Sequence, residues 1–148
     1  MKSIVFAIFA AVLAGCTSVN VQSVKDETLF DLVSLHEVCI VRNSKVLVSD
    51  FISVLQDGFD RHNIATRVVE PTQVKSCEVT LTYTALRSWD VTPYLSHAEL
   101  RLRRGGKLIG SADYHLKGGG GLALTKYGST KEKMDPVIDQ LLTGKAGN

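Results

Sequence analysis

The feature that most constrains the fold is a stretch of alternating polar and apolar residues in the second half of the chain. Between residues 77 and 87 one face carries apolar side chains and the other carries threonines. Residues 94–103 alternate again, and residues 108–116 follow after Gly105-Gly106, a dipeptide typical of a hairpin turn. Because successive side chains of a strand point to opposite faces of a sheet, the pattern predicts three consecutive antiparallel strands with one buried face.

Two helices and two further strands are predicted around these three strands. Residues 37–42 and 65–70 are short β-branched runs, and residues 49–63 between them place apolar side chains on one helical face. A strand–helix–strand unit closes right-handed, so these two strands should be parallel neighbours. A last helix follows a capping box that begins at Ser129, and Pro136 should kink this helix or delay its start. The order β-α-β-β-β-β-α predicts a two-layer α+β domain, with a mixed sheet of about five strands and two helices on one face.

The N-terminal segment is predicted to be absent from the folded domain. Residues 4–13 are an unbroken apolar run that follows Lys2. As a helix this run is about 15 Å long, half the thickness of a hydrocarbon core, so it is too short to span a bilayer. A positive start, a short apolar run and small residues before a cut site are typical of a secretory signal. We therefore assign residues 1–15 to a cleaved signal peptide, residues 16–25 to a tether and residues 26–148 to a single domain.

The cut site resembles the bacterial lipobox, which reads Leu13-Ala14-Gly15-Cys16 in this chain. The resemblance implies cleavage between Gly15 and Cys16, a diacylglyceryl group on the Cys16 sulfur and acylation of the new amino terminus, and such a set of acyl chains anchors a protein stably. The alternative is an ordinary signal peptide that happens to contain a cysteine. Thr17 stands where an aspartate would resemble an inner-membrane retention signal, so for a Gram-negative source we expect the inner leaflet of the outer membrane, with the domain facing the periplasm.

Cys39 and Cys77 are the two remaining cysteines. An even pair in an oxidising compartment favours a structural disulfide between them. The alternatives are two free buried thiols, or a redox or metal pair, although the spacing matches neither CxxC nor a zinc pattern.

Charge and motifs point away from nucleic-acid binding and catalysis. The formal net charge of +2 is nearly balanced and becomes +1 when Lys2 is removed, whereas nucleic-acid binders carry a clustered basic excess. The sequence has no HExxH, GxSxG or GxxxxGK[ST] motif. We predict no catalytic residue, no metal ligand and no cofactor other than the covalent lipid on Cys16.

Two groups of residues are candidate binding sites. The first is a basic hairpin that contains Arg101, Arg103, Arg104 and Lys107. Near a membrane it would contact anionic head groups or lipopolysaccharide phosphates, but its plainer interpretation is a solvated strand edge that charge protects from aggregation. The second group, at an irregular strand junction, is Trp89, Asp90 and Tyr94. These residues would line a groove for a partner, but the favoured interpretation is core packing of Trp89 with its indole bonded locally.

Several segments together resemble a small uncharacterised family of proteobacterial lipoproteins, the Sbal type. They are the lipobox, the VCIVRN strand with Cys39, the threonine-rich strand opened by Cys77, the Trp-Asp and Tyr-Leu segment, and the final KEKMDPVIDQLL helix. The resemblance implies a periplasmic lipoprotein of unknown function. We expect a non-enzymatic accessory or protein-interaction module of the cell envelope. The rival hypothesis is a ligand-binding lipoprotein that takes a lipid or glycan near Trp89.

Overall fold

The computed structural model describes residues 17–23, 36–117 and 124–145. The predicted signal peptide, with Gly15 and Cys16, lies outside the described residues. In chain order the strands are β1 (Thr17–Gln22), β2 (Glu37–Val41), β3 (Ala65–Val69), β4 (Val79–Trp89), β5 (Pro93–Arg104) and β6 (Lys107–Leu116). They form one mixed sheet in the order β1-β6-β5-β4-β2-β3. The strand β2 is parallel to β3 and β4, and β4, β5 and β6 are antiparallel, as the alternation predicts.

Two α-helices, α1 (Phe51–Asp60) and α2 (Thr130–Thr143), pack together on one face of this sheet. The core between the two layers is fully buried and includes Phe51, Leu55, Phe59, Leu81, Leu100, Leu102, Met134 and Ile138. The domain therefore has the predicted α+β class, with helices on one side of a mixed sheet. No helix in the described parts of the chain is long and apolar enough to cross a bilayer.

The sequence prediction of about five strands is wrong by one because it missed β1. Residues 17–22 were assigned to a tether, but they form an edge strand that pairs with β6 from Thr17↔Leu116 to Gln22↔Ser111. The segment is polar apart from Val19 and Val21, so its order depends on pairing with β6 rather than on its own hydrophobicity. Residues 17–22 therefore belong to the sheet rather than to a tether outside it.

The start of α2 matches the predicted capping box. The Ser129 hydroxyl accepts from the Glu132 amide at 3.2 Å, and the Glu132 carboxylate accepts from the Ser129 amide at 2.8 Å. Pro136 lies inside the helix and does not delay its start, since α2 already begins at Thr130. The helix ends at Gly144, whose positive φ of 71° suits a residue without a Cβ.

A charged cluster joins the end of α1 to α2. The Arg61 guanidinium contacts Asp135 at 2.8 Å and Asp139 at 2.9 Å, and His62 Nε2 lies 2.7 Å from the same Asp139 oxygen. Burial alone would raise the pKa of Asp139, but the hydrogen bonds from His62 and Arg61 outweigh it and the pKa is lowered. The cluster fixes the angle between the helices at the rim of the core.

The predicted disulfide is present. Cys39 in β2 and Cys77, just before β4, are bonded, with their Cα atoms 6.0 Å apart. Cys39 belongs to a small second core with Val41 and Val69, on the side of the sheet away from the helices. The bond ties β2 to the segment that enters β4.

Candidate functional site

The candidate site lies at the end of the sheet where β4 turns into β5. The alternating burial of β4 stops at Ala85, and residues 86–89 are exposed whichever face they point to. A register irregularity between Leu86 and Arg87 marks this change. Leu86, Trp89 and Val91 are 57, 73 and 82% exposed, and we refer to these three residues as the apolar tip.

The prediction that Trp89 packs in the core is therefore wrong. Trp89 pairs with Pro93 at the last rung of the hairpin, beyond the part of β4 that carries buried side chains. A tryptophan next to a proline bend is most often buried, but here the hairpin extends past the hydrophobic core. The side chain of Trp89 is therefore exposed at the surface of the protein.

Beside the apolar tip, a cluster of charges and aromatic rings fixes the turn. The Asp90 carboxylate accepts hydrogen bonds from the Lys126 ammonium and from the Tyr127 hydroxyl, the latter at 3.3 Å. The ammonium lies 4.7 Å from the centre of the Tyr94 ring, which meets the Tyr127 ring edge to face. Hydrogen bonding to Lys126 lowers the pKa of Asp90, and the same bond raises the pKa of Lys126. The turn is thereby held against the short 3-10 helix Leu124–Tyr127.

A second lysine, from α2, supports this cluster from inside. The side chain of Lys133 is buried, and its ammonium donates to the carbonyls of Leu95 at 3.1 Å and Lys126 at 2.6 Å. It also lies 5.6 Å from the centre of the Tyr94 ring. Burial lowers the pKa of Lys133, because the charged form loses its hydration. The lysine links α2, β5 and the 3-10 helix into one support for the turn.

The residues of the basic hairpin are spread along β5, and most contact a neighbouring strand. Arg101 bonds Asp113 at 3.0 Å, and Arg103 donates to the Thr82 hydroxyl at 3.2 Å. Arg104 pairs with Glu78 at 3.3 Å, while Lys107 lies on the exposed turn. Because β5 and β6 both lie between β1 and β4 in the sheet, the interpretation of the hairpin as a strand edge is wrong, and its charges lie on interior strands.

The first residue of β1 and the apolar tip lie at the same end of the sheet. Thr17 of β1 pairs with Leu116 of β6. The β6 residue just before Leu116 pairs with His97 of β5, and His97 pairs with Leu86 of β4. Thr17 is therefore level with the residue after Leu86, three strands away. Trp89 extends two residues farther in the direction from which the chain enters β1, or about 7 Å.

A cavity of about 400 Å³ lies between β1, β6 and the first half of α2. Its lining includes Val19, Tyr114 and Pro136 but none of Trp89, Asp90 and Tyr94. Burial raises the pKa of Tyr114 to about 12, so its hydroxyl stays protonated at neutral pH. This cavity is thus separate from the residues that the sequence suggested as a groove. No group of three metal-ligating side chains occurs within residues 17–23, 36–117 and 124–145.

Sequence reasoning placed Trp89, Asp90 and Tyr94 together but missed the two lysines that hold them. Lys126 contacts Asp90 across 36 positions of the chain and follows a glycine-rich segment that had no predicted structure. Lys133 falls on the predicted last helix, where a lysine is expected to face solvent. No local pattern in the sequence signals either contact.

Comparisons with protein-family models and with curated proteins give no match. Among solved structures, the chain is similar to the PelC dodecamer from Paraburkholderia phytofirmans. One crystal form matches with a TM-score of 0.55 and 12% identity over 88% of this chain and 99% of that chain. A point variant of the same protein matches with a TM-score of 0.53 and 14% identity over 81% of this chain and 98% of that chain. At this level of identity the likeness shows a shared fold.

Proposed function

We propose that this protein is a lipid-anchored, non-enzymatic accessory module of the bacterial cell envelope, held at the outer membrane and facing the periplasm. The observation that carries the proposal is the position of Thr17. This residue directly follows the lipobox cysteine and is already the first residue of β1, paired with Leu116. An acylated Cys16 would therefore bring the folded domain directly to the lipid surface, without a flexible spacer.

The disulfide adds independent support for an oxidising compartment. Cys39 and Cys77 are bonded, which leaves Cys16 as the one cysteine of the three outside the bridge. Disulfides of this kind persist in the periplasm and are rare in the reducing cytosol. The bond leaves Cys16 available as the acylation site that we propose.

The anchor is tested by metabolic labelling with palmitate, followed by membrane fractionation. Cys16→Ala should abolish labelling and release or stall the protein, because the acylated thiol is lost. The double variant Cys39→Ala/Cys77→Ala is the matched control and should be labelled as strongly as the wild type. Labelling that persists in Cys16→Ala would overturn the lipid anchor.

The accessory role is tested by crosslinking in cells that carry the wild-type protein. A discrete envelope partner should co-purify with the wild type and be lost from the unanchored Cys16→Ala variant. Repeated recovery of the uncrosslinked protein alone would contradict an interaction module.

Self-assembly is a second candidate, and the likeness to the PelC dodecamer favours it. The fold match extends over almost the whole of the PelC chain, so the same layers are available to form contacts between identical subunits. Most soluble homo-oligomers have closed symmetry, and repeated head-to-tail contacts close into rings. Light scattering on the detergent-extracted protein should give a defined multiple of the subunit mass, whereas a strictly monomeric mass would refute this candidate.

A further inference from the structure

We propose that the apolar tip inserts into the interfacial region of the lipid leaflet that holds the Cys16 anchor. This inference rests on the proposed lipid anchoring and adds a second contact between the domain and the membrane. The occupant of the surface is the boundary between head groups and acyl chains, which suits Trp89, a side chain with an apolar ring and one polar N–H.

The first argument is the exposure of the tip. Trp89 and Val91 are 73 and 82% exposed within three residues of one hairpin turn, and Leu86, which is 57% exposed, lies three residues before Trp89 on β4. Single exposed apolar side chains are normal on soluble proteins, but a tryptophan and an aliphatic residue grouped at a projecting turn mark an interaction surface. Burying such side chains stabilises a complex by about 1.5–3 kcal/mol each when the burial is complete.

The second argument is the direction in which the chain enters the fold. The strand β1 starts at Thr17 at this same end of the sheet, and Cys16 is the residue directly before Thr17 in the sequence. An anchor at Cys16 draws this end of the domain toward the bilayer and leaves the opposite end in the periplasm. The end that carries the anchor is the end that carries Trp89.

The third argument is depth. Trp89 reaches about 7 Å beyond the level of Thr17, since it lies two strand residues farther out, whereas Leu86 lies one residue behind that level. Apolar faces of interfacial segments lie about 5–10 Å deep at the boundary between head groups and acyl chains. The projection of the tip matches the depth that interfacial binding requires.

The charges next to the tip are compatible with a lipid surface because they are paired. Asp90 is bonded to Lys126, and Arg87 lies 3.5 Å from Asp50. A paired carboxylate presents less net negative charge to anionic head groups than a free one would. The support from Lys126 and Tyr127 also keeps the turn in one conformation, so insertion does not require the hairpin to become ordered first.

Trp89 is the only tryptophan of the chain, so its fluorescence reports on the tip alone. The test uses the full acylated protein in vesicles of phosphatidylethanolamine and phosphatidylglycerol, with and without lipids brominated in the upper acyl chain. The matched control is Trp89→Phe/Leu108→Trp, which moves the fluorophore to a partly exposed position, 42% accessible, beside the Gly105-Gly106 turn at the other end of the sheet.

In the wild type we expect emission at shorter wavelengths than in the control, strong quenching by the brominated lipids and a several-fold lower acrylamide quenching constant. A third variant, Val91→Asp, should reverse these effects without unfolding the domain, because Val91 is exposed. Equal acrylamide quenching in the wild type and the control would overturn the inference. Protection from acrylamide without quenching by brominated lipids would also overturn it, since a second copy or another protein would then cover the tip.

Flotation of the vesicles separates failure of this inference from failure of the proposed function. If the wild-type protein floats with the vesicles but Trp89 is not quenched, the lipid anchor stands and insertion of the tip is refuted. If the protein does not float, both the anchor and the insertion are refuted.

Discussion

Removal of the Cys39–Cys77 disulfide should lower the free energy of unfolding by about 4 kcal/mol. The bond joins residues 38 positions apart, and the entropy of closing a loop of that length in the unfolded chain gives this figure. The structure adds a smaller packing loss, because Cys39 is buried against Val41 and Val69. For a domain of this size, such a loss lowers the melting temperature by roughly 8–20 °C.

The measurement compares the wild type with Cys39→Ala/Cys77→Ala in urea, followed by far-ultraviolet circular dichroism. Trp89 fluorescence is a poor probe of unfolding, because this side chain is already exposed in the folded state. Dithiothreitol should bring the wild type close to the midpoint of the double variant and should leave the variant itself unchanged. A difference of less than about 1 kcal/mol between the oxidised wild type and the variant would refute the reasoning that the bridge limits the unfolded chain.

Three further predictions concern the helix pair and the tip. Gly58→Ala should destabilise the domain by about 1 kcal/mol in urea unfolding. The new alanine Cβ would lie 2.6 Å from Ile138 Cδ1, and this crowding outweighs the gain in helix propensity. An equal loss of stability in an Ile138→Val background would contradict this account. Asp90→Asn should lower the fluorescence anisotropy of Trp89 while the urea midpoint of the domain stays unchanged, and a change in the midpoint alone would count against a local role. The pKa of Asp139 is lower in the folded state than in the unfolded chain, where it is about 3.9. Its stabilising contribution is therefore complete above the unfolded pKa and is lost as the pH falls through the folded pKa. Asp139→Asn should flatten the dependence of stability on pH below pH 4, which urea midpoints measured at a series of pH values would show.

The strands of the sheet could be predicted where apolar and polar residues alternate along the strand itself. The threonines of β4 alternate with apolar residues because one face of the strand covers the core and the other does not. The strand β1 has no such signal, since an edge strand with two valines is stabilised mainly by its hydrogen bonds to β6. A segment that depends on a partner almost 100 positions away in the chain cannot be identified from its own residues.

The site was predictable only in part, for a related reason. The disulfide could be predicted from an even pair of cysteines together with an expected oxidising compartment, and the structure confirms the bond. The exposure of Trp89 follows from the end of burial along β4 after Ala85, close to the register irregularity after Leu86, and neither is marked in the sequence. The hydrogen bond between Lys126 and Asp90 joins residues 36 positions apart, and no local sequence pattern indicates it.

The two candidate binding sites lie at opposite ends of the sheet, and this separation decides what each can contact. The strand β6 runs from Lys107 beside the Gly105-Gly106 turn to Leu116 beside Thr17, a distance of about 30 Å. With an anchor at Cys16, the residues of the basic hairpin would therefore lie between about 17 Å (Arg101, opposite Ser111) and about 30 Å (Lys107) from the level of Thr17, beyond the Debye length of about 8–10 Å. Under the proposed function, a protein partner is to be sought at the Lys107 end, where a crosslinker should capture protein, whereas a crosslinker at Val91 should capture lipid.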